Sequence, residues 1–172
     1  MKLLIVESPT KTKNLASYLG KGWQVAATVG HIRDLPKSKM GVEITERKDS
    51  GQARMTKEVG MAYSFEPQYI QVRGKAPQVN EIRALVKEAD EVILATDPDR
   101  EGEAIAWHVL ELMKEKGEDV KKFKRVVFHS ITKEAVLEAM KNKGKVDMKL
   151  VEAQQARRIL DKIVGFRLSP VL

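Results

Sequence analysis

Apolar residues fall along the chain in short runs and helical stripes, separated by polar stretches punctuated with glycine. Leu3–Val6 is an apolar run closed by Glu7, Ser8 and Pro9, the pattern of a buried strand opening into a turn. Ser8 or Thr10 can cap a helix to about Leu19, which Gly20 and Gly22 end. Trp23–Val29 alternates as a second strand, and Gly30–Lys39 reads as a loop around Asp34-Leu35-Pro36. Residues 45–62 are polar about Lys48-Asp49-Ser50-Gly51 and read as a mobile loop or insertion. Tyr69–Val72 is a third short strand, and Pro77 suits the first turn of a helix to about Ala89.

Glu91–Thr96 is the clearest buried strand, because four apolar residues follow one another as they do in a sheet covered on both faces. A helix follows from about Asp99 to Lys116, with Ile105, Val109, Leu112 and Met113 at helical spacing. Lys124–Phe128 is another strand and Thr132–Asn142 another helix. A last helix runs from Asp147-Met148 to Val164, with Gly165 and Pro170 ending it. Alternating strands and helices predict an α/β fold, a doubly wound and mostly parallel sheet with helices on both faces.

Composition narrows the chemistry. The 172 residues include no cysteine, which excludes disulfides, thiolate metal sites and cysteine nucleophiles. No apolar run approaches the roughly 18 residues of a membrane span, and Leu3–Val6 is too short for a signal peptide. The expected address is the cytoplasm. The net charge of +7 is uneven: residues 118–172 hold 13 basic and 7 acidic side chains, whereas residues 1–117 are nearly balanced. A basic final third suits a phosphate-backbone binder, and equally an ordinary solvated lysine surface.

The most informative stretch is Ala95-Thr-Asp97-Pro-Asp99-Arg-Glu101-Gly-Glu103, in which four carboxylates face one arginine. Residues i and i+2 of an extended segment point the same way, so Asp97 and Asp99 can converge, and Pro98 stiffens that arrangement. The cluster follows a predicted parallel strand, where ligand sites of open α/β sheets lie. One reading is helix capping, with Asp97 as the cap. The other is a divalent-cation site, since crowded carboxylates repel and carboxylate oxygen is what Mg²⁺ prefers. Glu7, at the end of the first strand, would open onto the same sheet edge as a general acid/base, and Lys11 could hold a phosphate. On the last helix, Arg157 and Asp161 are i,i+4 neighbours, as are Arg158 and Lys162, beside Gln154 and Gln155. Arg158 and Lys162 could present one face to phosphates, while Arg157 and Asp161 could form a surface ion pair. His31 is a polar loop contact, and His108 reads as a helix packing residue.

These motifs together resemble the bacterial type IA DNA topoisomerase family. They are V-E-S-P-T-K at 6–11, V-G-H-I-R-D-L-P at 29–36, A-T-D-P-D-R-E-G-E-A-I-A-W-H at 95–108, R-V-V-F-H-S-I-T-K at 125–133 and A-Q-Q-A-R-R-I-L-D at 153–161. The resemblance implies a Toprim domain over residues 1–143 and the start of an adjoining helical DNA-binding domain over 144–172. It implies that Glu7 assists proton transfer to and from a 3′-hydroxyl beside the scissile phosphate, that Lys11 stabilises that phosphate, and that Asp97, Asp99 and Glu101, with Glu7 as a further contact, hold Mg²⁺. It places Arg157, Arg158, Asp161, Lys162 and His31 against single-stranded DNA.

The activity implied for the full enzyme is relaxation of negatively supercoiled DNA, by transient single-strand cleavage through a 5′-phosphotyrosyl link, strand passage and Mg²⁺-dependent religation in the bacterial nucleoid. The nucleophilic tyrosine belongs to a later domain, and Tyr18, Tyr63 and Tyr69 match no such motif, so the chain reads as a fragment inactive on its own. The competing readings are another Toprim or Mg²⁺-dependent phosphoryl-transfer protein, such as a primase or nuclease, and a non-enzymatic nucleic-acid-binding module.

Overall fold

The computed structural model describes residues 1–46 and 63–168. Its centre is a four-stranded parallel sheet of β1 (Lys2–Val6), β2 (Trp23–Ala27), β7 (Glu91–Leu94) and β8 (Phe123–Arg125), in the order β2-β1-β7-β8. Two-residue strands β3 (Arg33–Asp34) and β6 (Ile70–Gln71) and the hairpin strands β4 (Val42–Glu46) and β5 (Tyr63–Pro67) lie outside it. The helices are α1 (Thr12–Leu19), α2 (Ala76–Glu88), α3 (Arg100–Glu115), α4 (Lys133–Ala139) and α5 (Met148–Arg167).

Successive side chains of a strand point to opposite faces, and the core divides accordingly. Leu3, Ile5, Val92 and Leu94 join Val79, Ile82 and Val86 of α2 and Ala106, Val109 and Met113 of α3 on one face. Leu4, Val6, Ile93 and Ala95 join Leu15 of α1 and Val136 of α4 on the other. Every one of these side chains is essentially removed from water. Continuous apolar strands and striped helices therefore produce the doubly wound arrangement that the pattern predicts.

Several boundaries differ from the sequence reading. Pro9–Lys11 forms a 3₁₀ turn before α1, capped by the Ser8 side chain. Residues 45 and 46 belong to β4, while residues 47–62 of the expected mobile loop lie outside the described residues. Between Pro67 and Val72 only Ile70–Gln71 is strand; the longer strand is β5, whose Thr45–Ser64 hydroxyl pair, 2.6 Å apart, ties it to β4. Helix α5 passes through Gly165 to Arg167, because glycine costs a helix interior only about 1 kcal/mol relative to alanine.

Contacts divide the chain into two compact units. One comprises Met1–Asp34 and Gln71–Gln155 and contains the sheet; the other comprises Leu35–Ile70 and Ala156–Leu172. The division on the last helix falls after Gln155. Residues 147–155 are held in the first unit by the buried Val151 and by a hydrogen bond from the Asp147 N–H to Glu103. Among the described residues no helix is long and apolar enough to cross a membrane.

His108 lies within the first unit, 2% exposed. Its Nδ1 is 3.4 Å from Arg33 Nη1, and Arg33 also donates to Glu115 at 2.6 Å. Burial, then the Arg33 charge and His31, lower the His108 pKa to about 3. The unfolded chain takes up this proton near pH 6.5 and the folded chain does not, so this histidine's contribution to stability is lost as pH falls from about 6.5 towards 3. Relative to a His108→Gln variant, the wild-type chain should lose about 1 kcal/mol per pH unit below pH 6. Urea melts of both proteins at pH 7, 6, 5 and 4 would show this, and parallel slopes would refute it.

Candidate active site

The connection from β1 leads to β2 on one side, and that from β7 leads to β8 on the other, so the winding reverses between β1 and β7. Ligand crevices of doubly wound sheets open at the carboxyl ends of the strands flanking such a reversal. Here those ends carry Glu7 and the acidic loop from Asp97 onward. The parallel register Leu4↔Ile93 and Ile5↔Leu94, prolonged by the Ala95 N–H donating to the Ile5 carbonyl at 2.8 Å, places the two ends side by side.

Lys11, in the turn after β1, reaches across and donates to Asp97 Oδ1 at 2.6 Å. Asp99 is the N-cap of α3, its Oδ1 accepting from the Gly102 N–H at 2.6 Å. The cap is therefore Asp99, not Asp97: the Asp99 backbone is extended and α3 begins at Arg100, two residues later than a cap at Asp97 would start it. Asp97 is left to meet Lys11. Glu101 Oε2 lies 3.1 Å from His31 Nε2. His31 follows Val29 and Gly30, both at positive φ, and the Val29 N–H donates to the Glu7 carbonyl at 2.9 Å. A β-branched residue at a φ of 54° is strained by roughly 1–2 kcal/mol, and strain of this kind gathers at functional sites.

Glu7 is half-buried among these groups. Burial and the neighbouring Asp97 and Asp99 carboxylates raise its pKa above the ordinary value, against the opposing pull of His31 and Lys11. Five of the expected residues, Glu7, Lys11, His31, Asp97 and Asp99, thus act on one another. Glu101 joins them through His31.

The donor set is carboxylate oxygen, which fits Mg²⁺. Each carboxylate of the loop also has a partner already: Asp97 has Lys11, Asp99 the Gly102 N–H and Glu101 His31. Among the described residues no three His, Cys, Asp or Glu side chains enclose an ion position. That arrangement suits an open site, in which one or two carboxylates hold the ion beside water and phosphate oxygen.

The helix residues behave differently. In the second unit Arg157 and Asp161 are exposed and do not form the ion pair their spacing allows; Arg158 is half-buried. Lys162 donates to the Pro36 carbonyl at 2.5 Å and lies over the Phe166 ring, so it braces its own unit. Gln154 is buried, not offered to a ligand.

Two residues that hold the acidic loop escaped the sequence reading. Arg125 is fully buried; its Nη1 donates to the carbonyls of Leu94 (3.0 Å), Thr96 (3.0 Å) and Val126 (2.7 Å), and its Nη2 to that of Asp97 (3.1 Å). Its Nε donates to Glu103 Oε2 at 3.0 Å, and Glu103 Oε1 accepts the Asp147 N–H at 2.8 Å. The signal for Arg125 was an arginine inside an apolar strand, a charge that must find partners when buried. Gly102 is the other: a Cβ there would overlap the Asp97 carbonyl.

The Toprim domain family matches this chain over residues 2–131. Among solved structures, full-length topoisomerase I from Thermotoga maritima is similar, with 44% identity and a TM-score of 0.77. The match covers 99% of this chain and 26% of that one.

Gly102→Ala should cost roughly 1–3 kcal/mol, the usual penalty of forcing atoms into a packed site. Gly144→Ala, whose added Cβ would find its nearest neighbouring atom 4.0 Å away, should cost much less; equal denaturant midpoints for the two variants would contradict this. Arg125→Met should cost about 3–5 kcal/mol by leaving Glu103 buried and unpaired. Arg125→Met/Glu103→Leu should recover part of that loss, and no recovery would assign the cost to the carbonyl contacts instead.

Proposed function

The chain belongs to the Toprim domain family, in the form found in bacterial type IA DNA topoisomerase, and on that premise we propose that its acidic edge handles the phosphodiester at which such an enzyme cuts and rejoins one DNA strand. The observation that carries this reading is the convergence of Glu7, Lys11 and Asp97 where the sheet reverses its winding.

Lys11 offers an ammonium group to a phosphate oxygen in place of Asp97. Glu7, its pKa raised by burial and by Asp97 and Asp99, can hold a proton at higher pH than an ordinary glutamate. It can then exchange that proton with the sugar hydroxyl released on cleavage and consumed on rejoining. Asp97 and Asp99, with Glu7 and Glu101 nearby, are the residues that would hold Mg²⁺. When bound, the ion neutralises phosphate charge and favours rejoining. The attacking tyrosine would come from another part of the parent enzyme. His31 and the basic helix face at Arg157, Arg158, Asp161 and Lys162 would steady single-stranded DNA, with residues 144–172 opening the DNA-binding domain. The setting would be the bacterial cytoplasm, at the nucleoid.

Mg²⁺ should stabilise the fold by mass action, by about 1.4 kcal/mol at ten times its dissociation constant. Asp97→Asn/Asp99→Asn should abolish that gain. Asparagine still caps a helix well, so the variant removes charge while keeping the cap. Equal rises in melting temperature for both proteins across a Mg²⁺ titration would overturn the metal assignment and leave a non-enzymatic nucleic-acid-binding module as the better reading.

A further inference from the structure

Beside the acidic loop lies a concavity that shares Lys11 and Asp97 with the roles above and whose far wall those roles leave unused. Strand β8 pairs in parallel with β7, Leu94 opposite Arg125, and the Val126 N–H donates to the Leu94 carbonyl at 3.0 Å. The segment leaving β8 therefore runs alongside the segment leaving β7. Between them is a cavity of about 250 Å³, whose floor is Ala95 and Thr96. Lys11, Asp97 and Pro98 line one side, and Phe128, His129, Ser130 and Ile131 the other.

The walls differ in character. Phe128 and Ile131 pack against the core on the α1 and α4 face of the sheet, so the far wall is anchored. His129 and Ser130 are exposed, and their side chains have no hydrogen-bond partner among the described residues. Thr96 Oγ1 is occupied, donating to the Gly102 carbonyl. The groups able to donate to phosphate oxygen are then the Lys11 ammonium, which is paired with Asp97, and the unpartnered imidazole and hydroxyl of His129 and Ser130. The remaining lining is apolar apart from the Thr96 hydroxyl and the Asp97 carboxylate, whose charge Lys11 offsets. The volume falls below the roughly 300 Å³ at which pockets for whole small molecules begin. It suits a phosphate with its sugar better than a complete nucleotide.

We propose that this cavity is a subsite for the sugar-phosphate unit adjoining the phosphodiester held at Lys11, with His129 and Ser130 donating to its phosphate and the ring of Phe128 against its sugar. The proposal rests on the phosphodiester reading above and extends it to the neighbouring unit of the same strand. Contacts to sugar and phosphate position a strand without reading its sequence, so the subsite should be indifferent to base.

The test is a titration of the isotopically labelled chain with a hexathymidylate, followed by backbone amide resonances, with inorganic phosphate as a parallel arm. The oligonucleotide should shift residues 128–131 together with Lys11 and Asp97, and a hexaadenylate should do the same. His129→Ala/Ser130→Ala, which alters only exposed side chains, should weaken oligonucleotide binding roughly tenfold, the equivalent of one or two hydrogen bonds, while retaining the shifts at Lys11 and Asp97. Shifts at Lys11 and Asp97 with none at 128–131, or unchanged affinity in the double variant, would remove the subsite and leave the phosphodiester reading intact. Shifts at 128–131 that inorganic phosphate reproduces in full would reduce it to an anion site. No response at Lys11 and Asp97 would overturn both readings.

Discussion

One buried guanidinium organises the functional edge of this sheet. The carboxyl ends of parallel strands leave carbonyl groups with no ladder partner, and buried carbonyls left unpaired are costly. Arg125 gathers four carbonyls at this end around a single cation: those of Thr96, Asp97 and Val126, and that of Leu94, which also accepts the Val126 N–H. Glu103 balances that cation from the first turn of α3 and accepts the backbone N–H of Asp147 with its other oxygen. Strand end, acidic loop, helix start and the approach to α5 are thus held by one hydrogen-bonded unit. Such a pair adds little net stability over an apolar replacement. Its directional bonds set the position of the Asp97 backbone.

Charge at the edge is distributed by the same logic. Four carboxylates within seven residues would repel one another if all faced one point. Glu103 is drawn inward to Arg125, Asp99 turns to the helix N-terminus, Glu101 to His31 and Asp97 to Lys11. What remains is felt by Glu7, whose half-buried carboxyl lies near two carboxylates and is pushed towards its neutral form. The sheet reversal brings Glu7 to this place, since it sets β1 beside β7 although more than eighty residues separate them.

The last helix shows the limit of a helical-wheel argument. Spacing puts Arg158 and Lys162 on one face, and both are half-buried. Lys162 spends its ammonium on backbone carbonyls of residues 36 and 37, a use that no periodicity reveals. Arg157, by contrast, stays exposed and keeps its charge in solvent.

By itself the sequence determined the sheet and its helices, because apolar runs of strand length alternate with apolar stripes of helical period and can be buried in only a few ways. It also determined that Glu7 and the Asp97 cluster sit at strand ends, since both directly follow such runs. The tertiary structure alone decided which carboxylate caps α3, which one meets Lys11 and where the charge of Arg125 goes. Those choices depend on pairings between residues far apart in the chain and on a backbone contact at Gly102 that excludes any side chain. Local pattern carries burial and period. The partner of a charged group is set by which distant atoms folding brings within hydrogen-bonding reach.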